Sequence, residues 1–218
     1  MFPSLDPQQM ILRLPALVIA LVIHEFAHGY AAYKLGDLTA KHDGRLTLNP
    51  LKHLDPIGTL MIIFIGFGWA KPVMVNPYNL RNPKQDMAII SMAGPLSNFI
   101  LAFFMMLLNV FLQIMFIRHG VVGGAYDFII TFLTVLVFIN IMLGIFNLIP
   151  IPPLDGSKLF SIILPDHLYF SYINFRWGML LMVILIFSGG FELILFPIIT
   201  VITTSYFNIA LWIFSFLT

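Results

Sequence analysis

The sequence His24-Glu25-Phe26-Ala27-His28 places two imidazoles and a carboxylate within five consecutive residues. On an α-helix, residues four apart lie about 40° apart around the axis, so His24 and His28 share a face and can bind one metal ion. Glu25 projects about 100° away from His24, beside such an ion, where it can accept a proton from an attacking water molecule. This spacing predicts a metal site that catalyses hydrolysis.

The motif lies in the second half of an apolar run, residues 11–35. That run is long enough to cross a bilayer, since a transmembrane helix needs roughly 20 apolar residues. Ionisable groups in a membrane helix are costly without partners, so a cluster of them indicates a functional site. The alternative is that the two histidines pair with other polar groups in the membrane and do no chemistry.

The composition is that of an integral membrane protein. The chain has 218 residues, of which 60% are hydrophobic and 10% are charged, whereas soluble domains carry about 25% charged residues. A net charge of +1 without a basic stripe gives no reason to expect nucleic acid as a partner. The absence of cysteine excludes disulfides, thiolate zinc ligands and a cysteine nucleophile.

The apolar runs predict an all-α polytopic membrane protein with about five transmembrane helices in a single domain, residues 1–218. The core covers residues 11–160 and additional C-terminal helices cover 172–217. The predicted spans are residues 11–35, 88–117, 128–149, 177–188 and 193–217.

The HExxH helix is followed by an apolar run, residues 57–68, that is too short to cross the membrane. Its three glycines, Gly58, Gly66 and Gly68, allow a turn at membrane depth. Residues 69–75 then read as an extended return with Trp69 at the interface. We therefore expect a re-entrant or β-hairpin segment after the first span.

Catalytic zinc sites usually have three protein ligands, so a third ligand must come from elsewhere in the chain. The downstream side chains of suitable type are His42, Asp43, His53, Asp55, His119, Asp155, His167 and Glu192. Asp155 follows a stretch with three prolines in four residues, 150–153, which cannot continue a helix. Irregular backbone in a membrane must be buried in protein or line a cavity. Asp155 is the favoured ligand, with an ordinary Asp-Gly turn as the alternative.

Seven of the eleven basic residues lie at the end of the first predicted span or between it and the second: Lys34, Lys41, Arg45, Lys52, Lys71, Arg81 and Lys84. The positive-inside rule puts that loop in the cytoplasm and the amino terminus outside. By parity, the Asp155 stretch lies on the same side. We therefore expect the site to be nearer the cytoplasmic face of the cell membrane.

Three motifs together resemble the site-2 protease family of intramembrane zinc metalloproteases, peptidase family M50. They are HExxH, Ala-Gly-Pro-x-x-Asn at residues 93–98, and Asn-x-x-Pro followed by Leu-Asp-Gly at residues 147–156. The chain is most similar to the compact bacterial and archaeal branch, without PDZ or CBS modules. The small residues of the second motif favour close helix packing.

The resemblance implies one Zn²⁺ per chain, held by His24, His28 and Asp155. It also implies that Glu25 is the general base and that Asn147 helps to stabilise the oxyanion. The expected activity is hydrolysis of peptide bonds within or near transmembrane segments of other membrane proteins, in regulated intramembrane proteolysis.

A helical substrate must unwind, and an edge strand from residues 44–48 or 69–75 is expected to hold it. Gly44, Trp69 and Asn98 are the expected substrate contacts. The alternative functions are a non-catalytic metal-binding scaffold and a metal transporter. The almost wholly apolar outer halves of the predicted spans disfavour the transporter.

Overall fold

The computed structural model describes residues 7–65, 68–120, 123–165, 167–168, 172 and 177–217. The α-helices of this part of the chain are α1 (Pro7–Lys34), α2 (Thr39–His42), α3 (Pro56–Ile65), α4 (Pro83–Arg118), α5 (Ala125–Asn147), α6 (Asp155–Phe160), α7 (Gly178–Phe187) and α8 (Gly190–Ile213). Short 3-10 helices lie at Pro50–Lys52, Pro77–Asn79, Ser161–Ile163 and Ser215–Leu217. No strand is assigned among these residues, which confirms the predicted all-α fold.

Four helical segments are long and apolar enough to cross a membrane: Met10–Lys34, Pro83–Arg118, Ala125–Asn147 and Leu193–Ile213. They correspond to four of the five predicted spans. The remaining one, residues 177–188, is the ten-residue helix α7. At 1.5 Å per residue it reaches about 15 Å, half the thickness of the hydrocarbon core. The protein is thus a multi-pass membrane protein with four candidate spans in its described part, where the sequence predicted about five.

The predicted re-entrant segment contains the ten-residue helix α3, whereas Gly66 and Phe67 lie outside the described residues. The chain returns beside the start of α3, where Leu54 and Ala70 form an isolated antiparallel bridge. The Lys71 amide donates to the His53 carbonyl at 2.8 Å. Gly58 permits this return, because a Cβ there would lie 2.1 Å from the Trp69 carbonyl oxygen. The structure therefore has one bridge where a β-hairpin was expected.

The core lies along α4, which packs against α5, α1 and α8. The largest apolar cluster joins α4, α5 and α8, and its buried members are Ala102, Met106, Val110, Val137, Ile141, Ile145, Leu195, Ile199 and Ala210. On the other side, Ala16 and Ala20 of α1 pack against Leu136 and Ile139 of α5. These small residues let the backbones of α1 and α5 approach closely, as in many membrane bundles. Helix α1, which carries HExxH, is thereby held against α4 and α5.

Asp37 ties the loop after α1 to the segment that returns from α3. It is fully buried, and one carboxylate oxygen accepts from the Thr39 hydroxyl at 2.6 Å and the Asn79 amide at 2.7 Å. The other oxygen accepts from the Asn76 backbone N–H at 2.8 Å. Asp37 thus anchors the far end of residues 70–76, which we call the return segment.

Burial alone raises the pKa of Asp37, but hydrogen bonds from Thr39, Asn79 and Asn76 outweigh it and hold the pKa below its ordinary value. A pKa lowered by folding stabilises the protein above the unfolded value of about 3.9, and this stabilisation is lost as the pH falls through the folded pKa. We therefore expect Asp37→Asn to have a lower melting temperature than wild type at about pH 6. The difference between the two melting temperatures should shrink below about pH 4. Thermal unfolding of both proteins in detergent across this range measures the effect. A difference in melting temperature that does not change with pH would contradict this role of the Asp37 charge.

Candidate metal centre

Three ligand atoms meet where α1 faces the start of α6. The Nε2 atoms of His24 and His28 are 3.0 Å apart, and Asp155 Oδ2 lies 3.1 Å from the first and 3.0 Å from the second. The three residues are 4%, 8% and 8% exposed. Among the residues that the structure describes, this is the only group of three or more His, Cys, Asp or Glu side chains close enough to hold one metal ion.

The dimensions of this triangle suit zinc. Tetrahedral bonds of about 2.0–2.1 Å keep ligand atoms about 3.3 Å apart, and the observed separations are 3.0–3.1 Å. Two imidazoles and one carboxylate are also a donor set that catalytic zinc sites use, with the fourth position left for water or substrate. His24, His28 and Asp155 therefore fit one Zn²⁺.

The other ring nitrogen of each histidine is fixed by an oxygen atom of α4. His24 Nδ1 lies 2.6 Å from Asn98 Oδ1, and His28 Nδ1 lies 2.7 Å from the Ile90 carbonyl oxygen. A carbonyl oxygen can only accept, so the proton of each ring lies on Nδ1. The Nε2 lone pairs are then free for a metal, which is the usual arrangement of a zinc-bound histidine.

Helix α4 approaches both imidazoles at Gly94. A Cβ on this residue would lie 2.4 Å from His28 Nε2 and 2.7 Å from His24 Cε1. The next residue, Pro95, has no N–H to donate to the preceding turn of its own helix. The carbonyl one turn earlier therefore lacks its usual helical donor. The Ile90 carbonyl, which precedes it by one residue, accepts from His28. The Ala-Gly-Pro motif, interpreted from the sequence as a packing motif, therefore lies directly against His24 and His28, the candidate metal ligands.

Asp155 begins α6 after the unwound stretch that the prolines predicted, which follows the end of α5 at Asn147. Gly156 packs onto the end of α5, because a Cβ there would lie 2.2 Å from the Leu148 carbonyl oxygen. The Lys158 ammonium lies 3.7 Å from Asp155 Oδ1. This close packing brings Asp155 from a different part of the chain to the two histidines.

Glu25 lies beside the three ligands and is partly buried. Its Oε2 atom accepts a hydrogen bond from the backbone N–H of Val73 at 2.8 Å. Val73 belongs to the return segment, which therefore contacts the carboxylate. No sequence pattern indicates this contact, since it joins residues 48 positions apart.

The structure places the other predicted residues as follows. The Asn147 side-chain amide donates to the Leu143 carbonyl of its own helix at 3.0 Å. Gly44 is exposed in a turn with φ of 63° and has no neighbour within 4 Å of an added Cβ. Trp69 is 46% exposed, next to the bridge at Ala70. Asn98 is fully buried behind His24, so the structure connects it to a ligand and does not bring it together with Gly44 or Trp69.

A second polar region lies between α4, α5 and α8, where the sequence predicted almost wholly apolar outer halves. A cavity of about 390 Å³ is lined there by Met106, Asn109, Gln113, Thr134, Val137, Phe138, Thr203, Thr204 and Phe207. Its polar groups are amides and hydroxyls, and none of the lining residues is a His, Cys, Asp or Glu. The cavity therefore offers no second metal site of the kind that a transport path would need.

Known proteins similar to this chain carry the name of zinc metalloproteases. A family model described as Peptidase family M50 matches residues 115–187, which include Asn147 and Asp155. The chain is 43% identical over 158 residues to "Putative zinc metalloprotease YwhC" of Bacillus subtilis, a match that covers 70% of each protein. It is 28% identical over 212 residues to "Putative zinc metalloprotease Rip2" of Mycolicibacterium smegmatis, covering 94% of this chain and 74% of the relative. No solved structure matches the chain.

Proposed function

This chain belongs to peptidase family M50, and from that premise we propose that His24, His28 and Asp155 hold its zinc ion while Glu25 is the general base. The protein is a site-2 protease-like zinc metalloprotease of the membrane. The buried triangle of ligand atoms is the observation that carries the assignment of residues. The presence of Glu25 beside it argues against a non-catalytic scaffold.

When bound, zinc supplies a Lewis acid that polarises a peptide carbonyl and makes water acidic enough to attack near neutral pH. Glu25 accepts the proton of the attacking water and delivers it to the leaving amine. The Val73 N–H holds the Glu25 carboxylate in place for both transfers. Asn147 donates one amide proton to the Leu143 carbonyl, and we propose that its second proton stabilises the oxyanion.

The substrates that we propose are transmembrane segments of other proteins, cut within or near the membrane. A helix hides its backbone amides in its own hydrogen bonds, so the substrate must be extended to be cut. The return segment is the proposed template, because it already lies along Glu25 and its Val73 and Val75 side chains alternate with the exposed Met74. An extended peptide that pairs with it by β-addition would present its amides to the ligand triangle.

The proposed orientation puts the amino terminus outside the cell and the site nearer the cytoplasm. The basic residues of the loop between α1 and α4 support it through the positive-inside rule. The short helix α7 does not affect this assignment, because both α1 and Asp155 precede it in the chain. Labelling of single cysteines, introduced into the otherwise cysteine-free chain at residue 48 or 124, tests the orientation from either side of the membrane.

Replacing Val73 by proline removes the N–H that binds Glu25. A hydrogen bond to a charged group is worth about 1.5–3 kcal/mol, so we expect turnover to fall about tenfold or more with the bound zinc unchanged. Val73→Ala keeps the N–H and is the matched control. Equal turnover in the two variants would show that Val73 does not position the base.

The proposed function is tested with purified protein in liposomes and a panel of single-span fluorogenic peptides. We expect cleavage that stops when 1,10-phenanthroline removes zinc and returns when zinc is restored. The transporter alternative predicts instead that the protein moves zinc into the liposomes and cuts none of the peptides. That result would contradict a protease.

A further inference from the structure

Two fully buried asparagines connect His24 to the centre of the helix bundle. Asn98 lies on α4 and Asn140 lies on α5, and both are 0% exposed. Asn98 Oδ1 is 2.6 Å from His24 Nδ1, and Asn98 Nδ2 donates to Asn140 Oδ1 at 2.9 Å. Asn140 Nδ2 in turn donates to the Leu136 carbonyl at 2.8 Å. A continuous hydrogen-bonded chain thus links α5 through α4 to a ligand on α1.

The partners of Asn98 fix which way its amide faces. Its Nδ2 group donates one proton to Asn140 and the other to the Ala20 carbonyl at 3.1 Å. Rotating the amide by 180° would set its oxygen against the Ala20 carbonyl oxygen and its N–H group against His24. The network therefore requires Oδ1 to face the imidazole.

This orientation dictates the tautomer of His24. Because Asn98 Oδ1 is an acceptor, His24 Nδ1 must donate and carry the proton, and the lone pair lies on Nε2. Ala20 lies one helical turn before His24 on α1, so a single amide binds both the ring and the backbone that carries it. Asn98 thus controls the rotation of the ring as well as the position of its proton.

His28 does not depend on a side chain in this way. Its Nδ1 atom donates to the Ile90 backbone carbonyl at 2.7 Å, an acceptor that every residue type provides. His24 has only the Asn98 side chain in that role. A side-chain substitution can therefore remove the Nδ1 partner of His24 but not that of His28. This difference makes the role of Asn98 measurable.

We propose that Asn98, held in turn by Asn140, is a positioning residue that fixes the tautomer and ring orientation of His24 for zinc binding. The inference rests on the proposed zinc site. Groups that orient zinc-bound histidines typically contribute 10- to 100-fold to metal affinity. Asn140 acts through Asn98, so its removal has the smaller effect.

A general packing role is the competing explanation, and α4 provides a matched control for it. Asn109 is 3% exposed and also joins α4 to α5, with its amide donating to the Ile130 carbonyl and the Thr134 hydroxyl, both at 3.1 Å. It accepts from the Gln113 side-chain amide. Neither Asn109 nor these partners is a ligand. Replacing Asn109 therefore removes buried amide hydrogen bonds between the same two helices and leaves the contacts of the proposed metal site in place.

The experiment measures zinc affinity by chelator competition in detergent for wild type, Asn98→Leu, Asn98→Asp, Asn140→Leu and Asn109→Leu. We expect Asn98→Leu to weaken zinc binding about 10- to 100-fold and Asn140→Leu to weaken it less. Asn98→Asp keeps an oxygen opposite Nδ1 but sets its second oxygen against the Ala20 carbonyl and Asn140 Oδ1, so it should restore only part of the affinity lost in Asn98→Leu. Asn109→Leu should leave the affinity unchanged, even where its melting temperature falls as far as that of Asn98→Leu.

The visible absorption spectrum of the Co²⁺-substituted proteins gives a second readout, because it responds to ligand geometry. We expect it to change in Asn98→Leu and to match wild type in Asn109→Leu. Equal zinc affinities for Asn98→Leu and Asn109→Leu would overturn the inference while the wild type still binds zinc. Failure of the proposed function would look different, since the wild type itself would then bind no zinc.

Discussion

Glu25→Gln is expected to abolish peptide-bond cleavage and to leave zinc bound. Glutamine has the shape of glutamate, and its side-chain oxygen can still accept the Val73 N–H that binds Oε2 of Glu25. It cannot accept a proton from water at neutral pH, however, and general acid–base catalysis contributes about 10²–10⁴ in rate. Since Glu25 is not one of the three proposed ligands, zinc binding should be unaffected.

The measurement pairs the rate of peptide cleavage with the zinc content of the same preparation. A loss of about 10³-fold or more in rate, with zinc equal to that of wild type, is the expected result. Loss of zinc from Glu25→Gln would make this residue a ligand. Retention of most of the rate would require a different base.

Gly94→Ala is expected to destroy the metal site by adding one methyl group. The new carbon atom would lie 2.4 Å from His28 Nε2 and 2.6 Å from its Cε1 atom, well inside van der Waals contact. The rings cannot move away freely, because each Nδ1 atom is fixed by α4, at Asn98 and at Ile90. We therefore expect loss of zinc together with loss of proteolysis.

Gly29→Ala is the matched control, because it adds the same methyl group to α1 at the residue that follows His28. Its Cβ would lie at ordinary contact distances, 3.4 Å from Ala40, 3.5 Å from Val73 and 3.7 Å from Leu46. Zinc content and thermal unfolding of both variants distinguish a local clash from general destabilisation. Zinc retained at the wild-type level in Gly94→Ala would contradict the close approach of α4.

Much of the site could be predicted from the sequence because local spacing determines it. A helix places His24 and His28 on one face by its own period, and the prolines before Asp155 interrupt a helix wherever it lies. The structure brings these three residues together, although Asp155 lies 127 positions after His28 in the chain. Hydropathy likewise located four helices in the described part of the chain that are long and apolar enough to be candidate spans.

The surroundings of the ligands could not be predicted, because they depend on how the helices pack. Asn98 contacts His24 across 74 positions, and only the crossing of α1 and α4 brings them together. The same crossing sets Gly94 against the rings. A polar residue in an apolar span, such as Asn98 or Asn140, is a signal of an internal contact, but the sequence does not name its partner. Apolar composition alone also did not distinguish the short helix α7 from a complete span.

The zinc content of detergent-purified protein tests most directly whether Asp155 completes a site begun by His24 and His28. Wild type is compared with Asp155→Ala and with Asp127→Ala, which removes an exposed carboxylate from the first turn of α5. About one zinc per chain is expected in wild type and Asp127→Ala, with loss in Asp155→Ala, as for a site of three protein ligands. Unchanged zinc in Asp155→Ala, or no zinc in a folded wild type, would contradict this site.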